Sequence, residues 1–161
     1  MSTRDLVLTA LFAAIIVALG LLPPISLGFI PVPITAQSLG VMMAGVVLGA
    51  RRGAIAVLIV LVLVAIGLPV LSGGRGGLAI FASPTAGFLI GWIFAAFVTG
   101  YLSERLVNEQ QSGLVQTVSF FLTAMAGGIV VLYAFGITYL ATVADHGFNA
   151  STFTARVVAS T

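Results

Sequence analysis

The sequence predicts an all-α fold: a polytopic integral membrane helical bundle with five full transmembrane helices plus a stub of a sixth. Three observations predict it. Hydrophobic residues fill 60% of the 161 positions and charged residues only 6%, against about 25% charged in a typical soluble domain. A chain so poor in charge cannot cover its own surface in water, so lipid must be the solvent for much of it. The charges are also confined: none lies between Asp5 and Arg51, between Arg52 and Arg75, between Arg75 and Glu104, or between Glu109 and Asp145. Those gaps are long enough to supply the roughly 20 apolar residues that one bilayer-spanning helix needs, and the first is long enough for two.

Breaks in the apolar pattern place the elements. The run Leu6–Leu22 is longer than the apolar core of a secretory signal and no A-x-A site closes it, which predicts an uncleaved first helix over about 6–22. The stretch PPISLGFIPVP, residues 23–33, holds four prolines. Each lacks an N–H and clashes with the preceding turn, so this is a connection. A second helix follows over about 35–50 and is expected to end at Arg51-Arg52. The third spans about 53–68 and stops at Gly67-Leu68-Pro69. A glycine-rich connection runs to about Pro84, then a fourth helix over about 85–103, the polar link SERLVNEQQSG and a fifth helix over about 114–140. After the loop DHGFNASTF, the last eight residues, Thr154–Thr161 with Arg156 among them, are too few to cross a bilayer and read as the opening of another segment. Residues 1–161 are expected to form a single transmembrane domain.

Composition excludes several functions. There is no cysteine and a single histidine, His146, so disulfides, thiolate metal sites, cysteine nucleophiles and multi-histidine metal centres are ruled out. The six basic residues are all arginine and form no stripe with interleaved aromatics, which argues against a nucleic-acid partner. No nucleophile–base triad or spaced carboxylate pair is present, and no acid falls inside a predicted helix, as a proton relay would require. The expectation is a non-enzyme with no cofactor. Placing the N-terminus in the cytoplasm puts Arg4, Arg51, Arg52 and Arg105 inside, consistent with the positive-inside bias, and Arg75 outside.

The motifs left are few. Ala10, Ala14 and Ala18 recur at steps of four and fall on one helical face. Small residues in such a row admit close approach of another helix in lipid, either within the protein or as a docking stripe for a membrane partner. The pairs Gly45/Gly49 and Gly87/Gly91 are expected to make contacts within the protein. In Ser72-Gly73-Gly74-Arg75-Gly76-Gly77, one arginine sits among four glycines. No Gly-Lys-Ser/Thr ending follows, so this is not a P-loop. Glycine amides converging on an anion, with the guanidinium forking onto a carboxylate, is the functional reading; a pliant exterior turn is the plain one. Gln37 could hydrogen-bond a ligand through its amide or snorkel to the interface, and Thr35 could cap the second helix. Tyr133, Tyr139, Phe29, Phe81 and Trp92 read as belt or packing aromatics.

Four stretches, LTALFAAIIVALGLLPPI, FIPVPITAQSLGVMMAGVVLGARRGAIAVL, AIGLPVLSGGRGGLAIFASPTAGFLIGW and VLYAFGITYLA, together resemble the biotin-specific substrate-binding (S) component of energy-coupling factor (ECF) transporters, the BioY family. The likeness covers residues 4 to about 143. It implies a six-helix membrane component that holds biotin near the outer face, beneath connections equivalent to residues 23–34 and 69–84. By the same resemblance Arg75 meets the valerate carboxylate, Gln37 and the glycines Gly73, Gly74, Gly76 and Gly77 belong to the ligand site, and the face of Ala10, Ala14 and Ala18 docks on an ECF coupling transmembrane protein. Cytosolic ATPases would supply the energy. The departure is C-terminal: family members open a sixth helix with Pro-Gly-Asp and a nearby lysine that help form the site, whereas NASTFTARVVAST offers no match. A C-terminally shortened chain is therefore expected. An S component for another small vitamin, a ligand-free membrane scaffold and a nonfunctional fragment are the rival readings.

Overall fold

A computed structural model of the chain describes residues 2–25, 35–83, 85–106 and 112–145. Helix α1 spans Thr3–Leu19. It starts with a capping box: Ser2 Oγ accepts from the Asp5 N–H and the Asp5 carboxylate accepts from the Ser2 N–H. The Ser2 N–H and hydroxyl beside the Asp5 carboxylate, and then Arg52, which pairs with it, hold its pKa below the usual carboxylate value. Helix α2, Ala36–Leu48, and helix α3, Ala50–Ala65, form a tight hairpin. Helix α4 covers Ala86–Leu106. The last rod is built from α5, Gly113–Ala124, a π turn over Met125–Val130, and α6, Val131–Asp145.

The α2–α3 junction differs from expectation. Helix α2 does not run to the arginine pair; the chain turns at Gly49, whose φ of +84° is open to glycine and costly for other residues. Arg51 and Arg52 consequently occupy the first turn of α3, where the helix dipole disfavours cations. Two carboxylates offset this. Asp5 pairs with Arg52, and Glu104 Oε1 accepts from the Ala50 N–H at 3.0 Å, supplying the cap that Gly49 lacks. A charged pair does not stop a helix; a left-handed glycine does. The fifth predicted helix, about 114–140, likewise extends to Asp145 and carries a π turn that its apolar pattern did not disclose.

Helix α4 is the central element, packed against α2, α3 and α6. Its inward face is rich in small residues, among them Gly87, Gly91, Ala95, Ala96, Thr99 and Gly100. A methyl added at Gly45 would stand 2.5 Å from the Ala96 carbonyl oxygen, and one at Gly100 2.4 Å from the Ala50 nitrogen. Helices in lipid gain no hydrophobic drive toward one another, so such backbone-to-backbone contact is what holds them. Gly87 and Gly91 instead make room for the side chains of Tyr139 and Phe135, and both glycine pairs serve internal packing. The outward face is apolar: Leu11, Val47, Phe94, Phe121 and Ile137 are all exposed, as lipid contact requires. Ala86–Leu106 and Gly113–Thr142 are long and apolar enough to cross a membrane; α1, α2 and α3, at 17, 13 and 16 residues, are shorter. The fold is an all-α membrane bundle.

The antiparallel course of the rods gives the bundle two unlike ends. Asp5, Arg52, Gly49 and Glu104 gather at one, as their mutual contacts show. Gln37, Leu22 and the 70–77 loop gather at the other. The proline-rich connection beyond Ile25, His146 and the expected sixth-helix stub lie outside the described residues.

Candidate functional site

The loop between α3 and α4 closes one end of the bundle. Its shape is dictated by glycine: Gly67, Gly73, Gly74 and Gly77 all have φ between 71° and 103°, a region that other residues enter at a cost. Leu71 and Arg75 exchange backbone hydrogen bonds, Leu71 N–H to Arg75 O at 3.0 Å and Arg75 N–H to Leu71 O at 3.3 Å, and the Gly74 N–H also donates to Leu71 O. The Gly77 N–H turns back to Val64 O at 2.8 Å and satisfies a carbonyl at the end of α3. The expected convergence of glycine amides on an anion is thus narrowed, since Gly74, Arg75 and Gly77 spend their N–H groups on the turn itself. A residue other than glycine at 76 would bring its Cβ to within 2.1 Å of Leu68 O.

Gln37 fixes this loop to the bundle. Its side chain is 1% exposed. Nε2 donates to Val70 O at 2.8 Å and to Ile16 O at 3.3 Å, while Oε1 accepts from the Ser72 N–H at 3.0 Å. One amide therefore ties α1, α2 and the loop together. It does not snorkel, and a single Oε1 lone pair is left for any other donor. Ser72, equally buried, adds a bond from Oγ to Leu22 O. Thr35 precedes α2 but its hydroxyl makes no capping bond; its carbonyl accepts from Ser38 Oγ instead.

Beneath the loop lies a cavity of about 410 Å³, within the roughly 300–1,000 Å³ range of small-molecule sites. Helices α2, α4 and the last rod form its walls, and Arg75, Ser72 and Leu71 form its roof. Thr35 and Thr85 stand near the roof; Met42, Trp92, Tyr133 and Ile129 lie deeper. Seven residues separate Thr85 from Trp92, which sets the depth at about 10 Å from the 1.5 Å helical rise. Phe88 and Tyr133 meet edge to face at 6.1 Å on one wall. Polar groups thus crowd the roof, and the interior is apolar and aromatic. Arg75 is exposed, and among the described residues its side chain makes one bond, Nε to Ser72 O at 3.3 Å. Among the described residues it is the cation at this end.

Of the residues singled out from sequence, Arg75 and Gln37 line this cavity, whereas Gly73, Gly74, Gly76 and Gly77 do not, and Ala10, Ala14 and Ala18 are all exposed on the outer face of α1. Sequence reasoning missed Ser72, whose burial no local pattern reveals. It also took Trp92 and Tyr133 for belt or packing aromatics, whereas both line the cavity. Phe29 lies outside the described residues.

The sequence profile of the BioY family matches residues 1–160. The chain belongs to the BioY family. Among curated relatives it is similar to the biotin transporter BioY of Rhizobium etli, 94% identical over 149 residues, which cover 92% of this chain and 80% of that one. The biotin transporter BioY of Rhodobacter capsulatus is 60% identical over 134 residues, 83% of this chain and 67% of the relative. Among solved structures, the S-component for biotin from an ECF-type ABC transporter superposes with a TM-score of 0.79 at 33% identity, covering 98% of this chain and 84% of that one. Membership in BioY accords with the lipid-facing helical bundle.

Proposed function

We propose that this protein is the substrate-binding membrane component for biotin uptake, a transport component and not an enzyme. The observation that carries the reading is the pairing of an apolar chamber with one guanidinium at its roof. Biotin is a small acid with a bicyclic ring and an aliphatic chain. Its ring and chain suit aromatic walls, and its carboxylate needs a cation, because an unpaired charge taken out of water costs several kcal/mol. Arg75 supplies that partner in a forked geometry matched to a carboxylate. Gly73, Gly74 and Gly77 set the turn of the roof through their positive φ, and Gly76 lets it pack on Leu68. Gln37 acts mainly by holding Val70 and Ser72 in place.

The cell membrane is its site, with the N-terminus cytoplasmic and the Arg75 loop extracellular. In this orientation Arg4, Arg51, Arg52 and Arg105 share the cytoplasmic end. The sequence carries no P-loop motif, and the energy in this reading comes from partners: an ECF coupling transmembrane protein, which meets the exposed face of Ala10, Ala14 and Ala18, and cytosolic ATPases behind it. Biotin binding by purified protein carrying Arg75→Ala tests the reading. The loss of a charged hydrogen-bond pair, about 1.5–3 kcal/mol, predicts affinity weaker by roughly ten- to a hundredfold. Arg75→Ala leaves the ligand-free Tm unchanged, because the side chain makes one long internal bond. Unaltered affinity rejects Arg75 as the anchor, and a thermal shift with another vitamin but not with biotin rejects the ligand.

A further inference from the structure

The last rod contains one residue more than a regular helix would use. Its buried positions are Thr123, Gly127, Gly128, Leu132 and Gly136. Thr123 to Gly127 and Leu132 to Gly136 are steps of four, but Gly127 to Leu132 is a step of five, and the π turn Met125–Val130 absorbs it. Successive residues of an α-helix point about 100° apart, so a regular turn presents one of two neighbours squarely inward. The widened turn presents two. A methyl at Gly127 would stand 2.9 Å from Thr99 Cα, a rigid backbone contact that sets the distance to α4. One at Gly128 would stand 2.5 Å from Met42 Cγ and 2.6 Å from both Sδ and Cε. Gly128 thus meets nearly the whole Met42 side chain, which is flexible and must move if that space is filled.

Met42 and Ile129 both line the deep end of the cavity. A methionine pushed off residue 128 moves toward the adjoining empty space, which is the cavity, because the protein around it is close-packed. We propose that Gly128, presented by the π turn, is a specificity-determining residue: it seats Met42 back against the last rod and thereby sets the depth available to the ligand's ring system. This rests on reading the cavity as the biotin site. Under it, the roof selects the acid through Arg75, and the glycine-seated methionine selects length.

Biotin titrations of purified full-length wild-type protein and three variants test this. Wild-type protein that binds no biotin defeats the functional reading itself, and not the role of Gly128. With wild-type binding established, Gly128→Ala weakens affinity by about tenfold or more, the scale of overpacking a filled site. Adding Met42→Ala to Gly128→Ala restores most of that loss, because the side chain that was displaced is gone. Equal affinity in wild type and Gly128→Ala overturns the proposal, as does a double variant as weak as the single one, which would place the effect in helix packing. Should Gly128→Ala fail to fold, Met42→Phe fills the deep end from the other side of the contact. It must lose biotin while keeping the ligand-free Tm within a few degrees; wild-type affinity in Met42→Phe refutes the depth limit.

Discussion

Replacing Gln37 with leucine separates a strut from a ligand contact. Leucine keeps the apolar volume but removes both amide donors and the acceptor. Ile16 O retains a partner, since it also accepts from the Gly20 N–H at 3.2 Å. Val70 O and the Ser72 N–H do not; among the described residues their bonds are those to Gln37. Leaving a buried backbone group unsatisfied costs about 1–3 kcal/mol, so two such groups put the loss at roughly 2–6 kcal/mol. For a chain of this size each kcal/mol lowers Tm by about 2–4 °C, which predicts a fall of at least about 4 °C in ligand-free protein. The assay is thermal unfolding in detergent with and without biotin, alongside a binding titration. Both the ligand-free Tm and the biotin affinity should drop, because the roof that carries Arg75 is no longer fixed to α1 and α2. A variant with wild-type ligand-free Tm and lost affinity would show that Gln37 serves the ligand directly, and the strut argument would fail. Unchanged Tm and unchanged affinity would refute both.

Two further changes probe the packing that positions the site. Thr99 is fully buried, and among the described residues its hydroxyl has no hydrogen-bond partner; Thr99→Val keeps the shape without the stranded polar atom and should raise Tm, by the equivalent of about 1 kcal/mol, with a lower Tm counting against the packing described. Glu104→Ala removes the carboxylate that caps α3 at the Ala50 N–H and should cost about 0.5–2 kcal/mol, as loss of a helix cap does. Glu104→Gln, which keeps the acceptor, should recover most of that Tm loss.

Much of the fold was legible because a bilayer imposes a simple code. Charge-free runs mark helices, and prolines and glycines mark their ends, so five rods were readable from four charge-free gaps, the first divided by its prolines. The α2–α3 boundary was misplaced because it depends on the backbone angle of Gly49, and a chain with nineteen glycines does not announce which one turns left-handed. The π turn was illegible for a related reason. An extra residue in a uniformly apolar helix leaves no mark on hydropathy, and it shows only once Thr99 and Met42 are seen against Gly127 and Gly128.

The candidate site divides along the same line. By itself the sequence determined that lipid is the solvent and that one arginine stands in a glycine-rich connection. Those are properties of composition and spacing. Only the tertiary structure decided that Gln37 is spent on holding the loop, that Ser72 is buried, and that Trp92, Met42 and Tyr133 enclose a chamber under Arg75. The physical reason is that a hydrogen bond or a cavity wall belongs to residues brought together from distant parts of the chain. Helix-to-helix register, set here by glycines seated on backbone, is what brings them to one place.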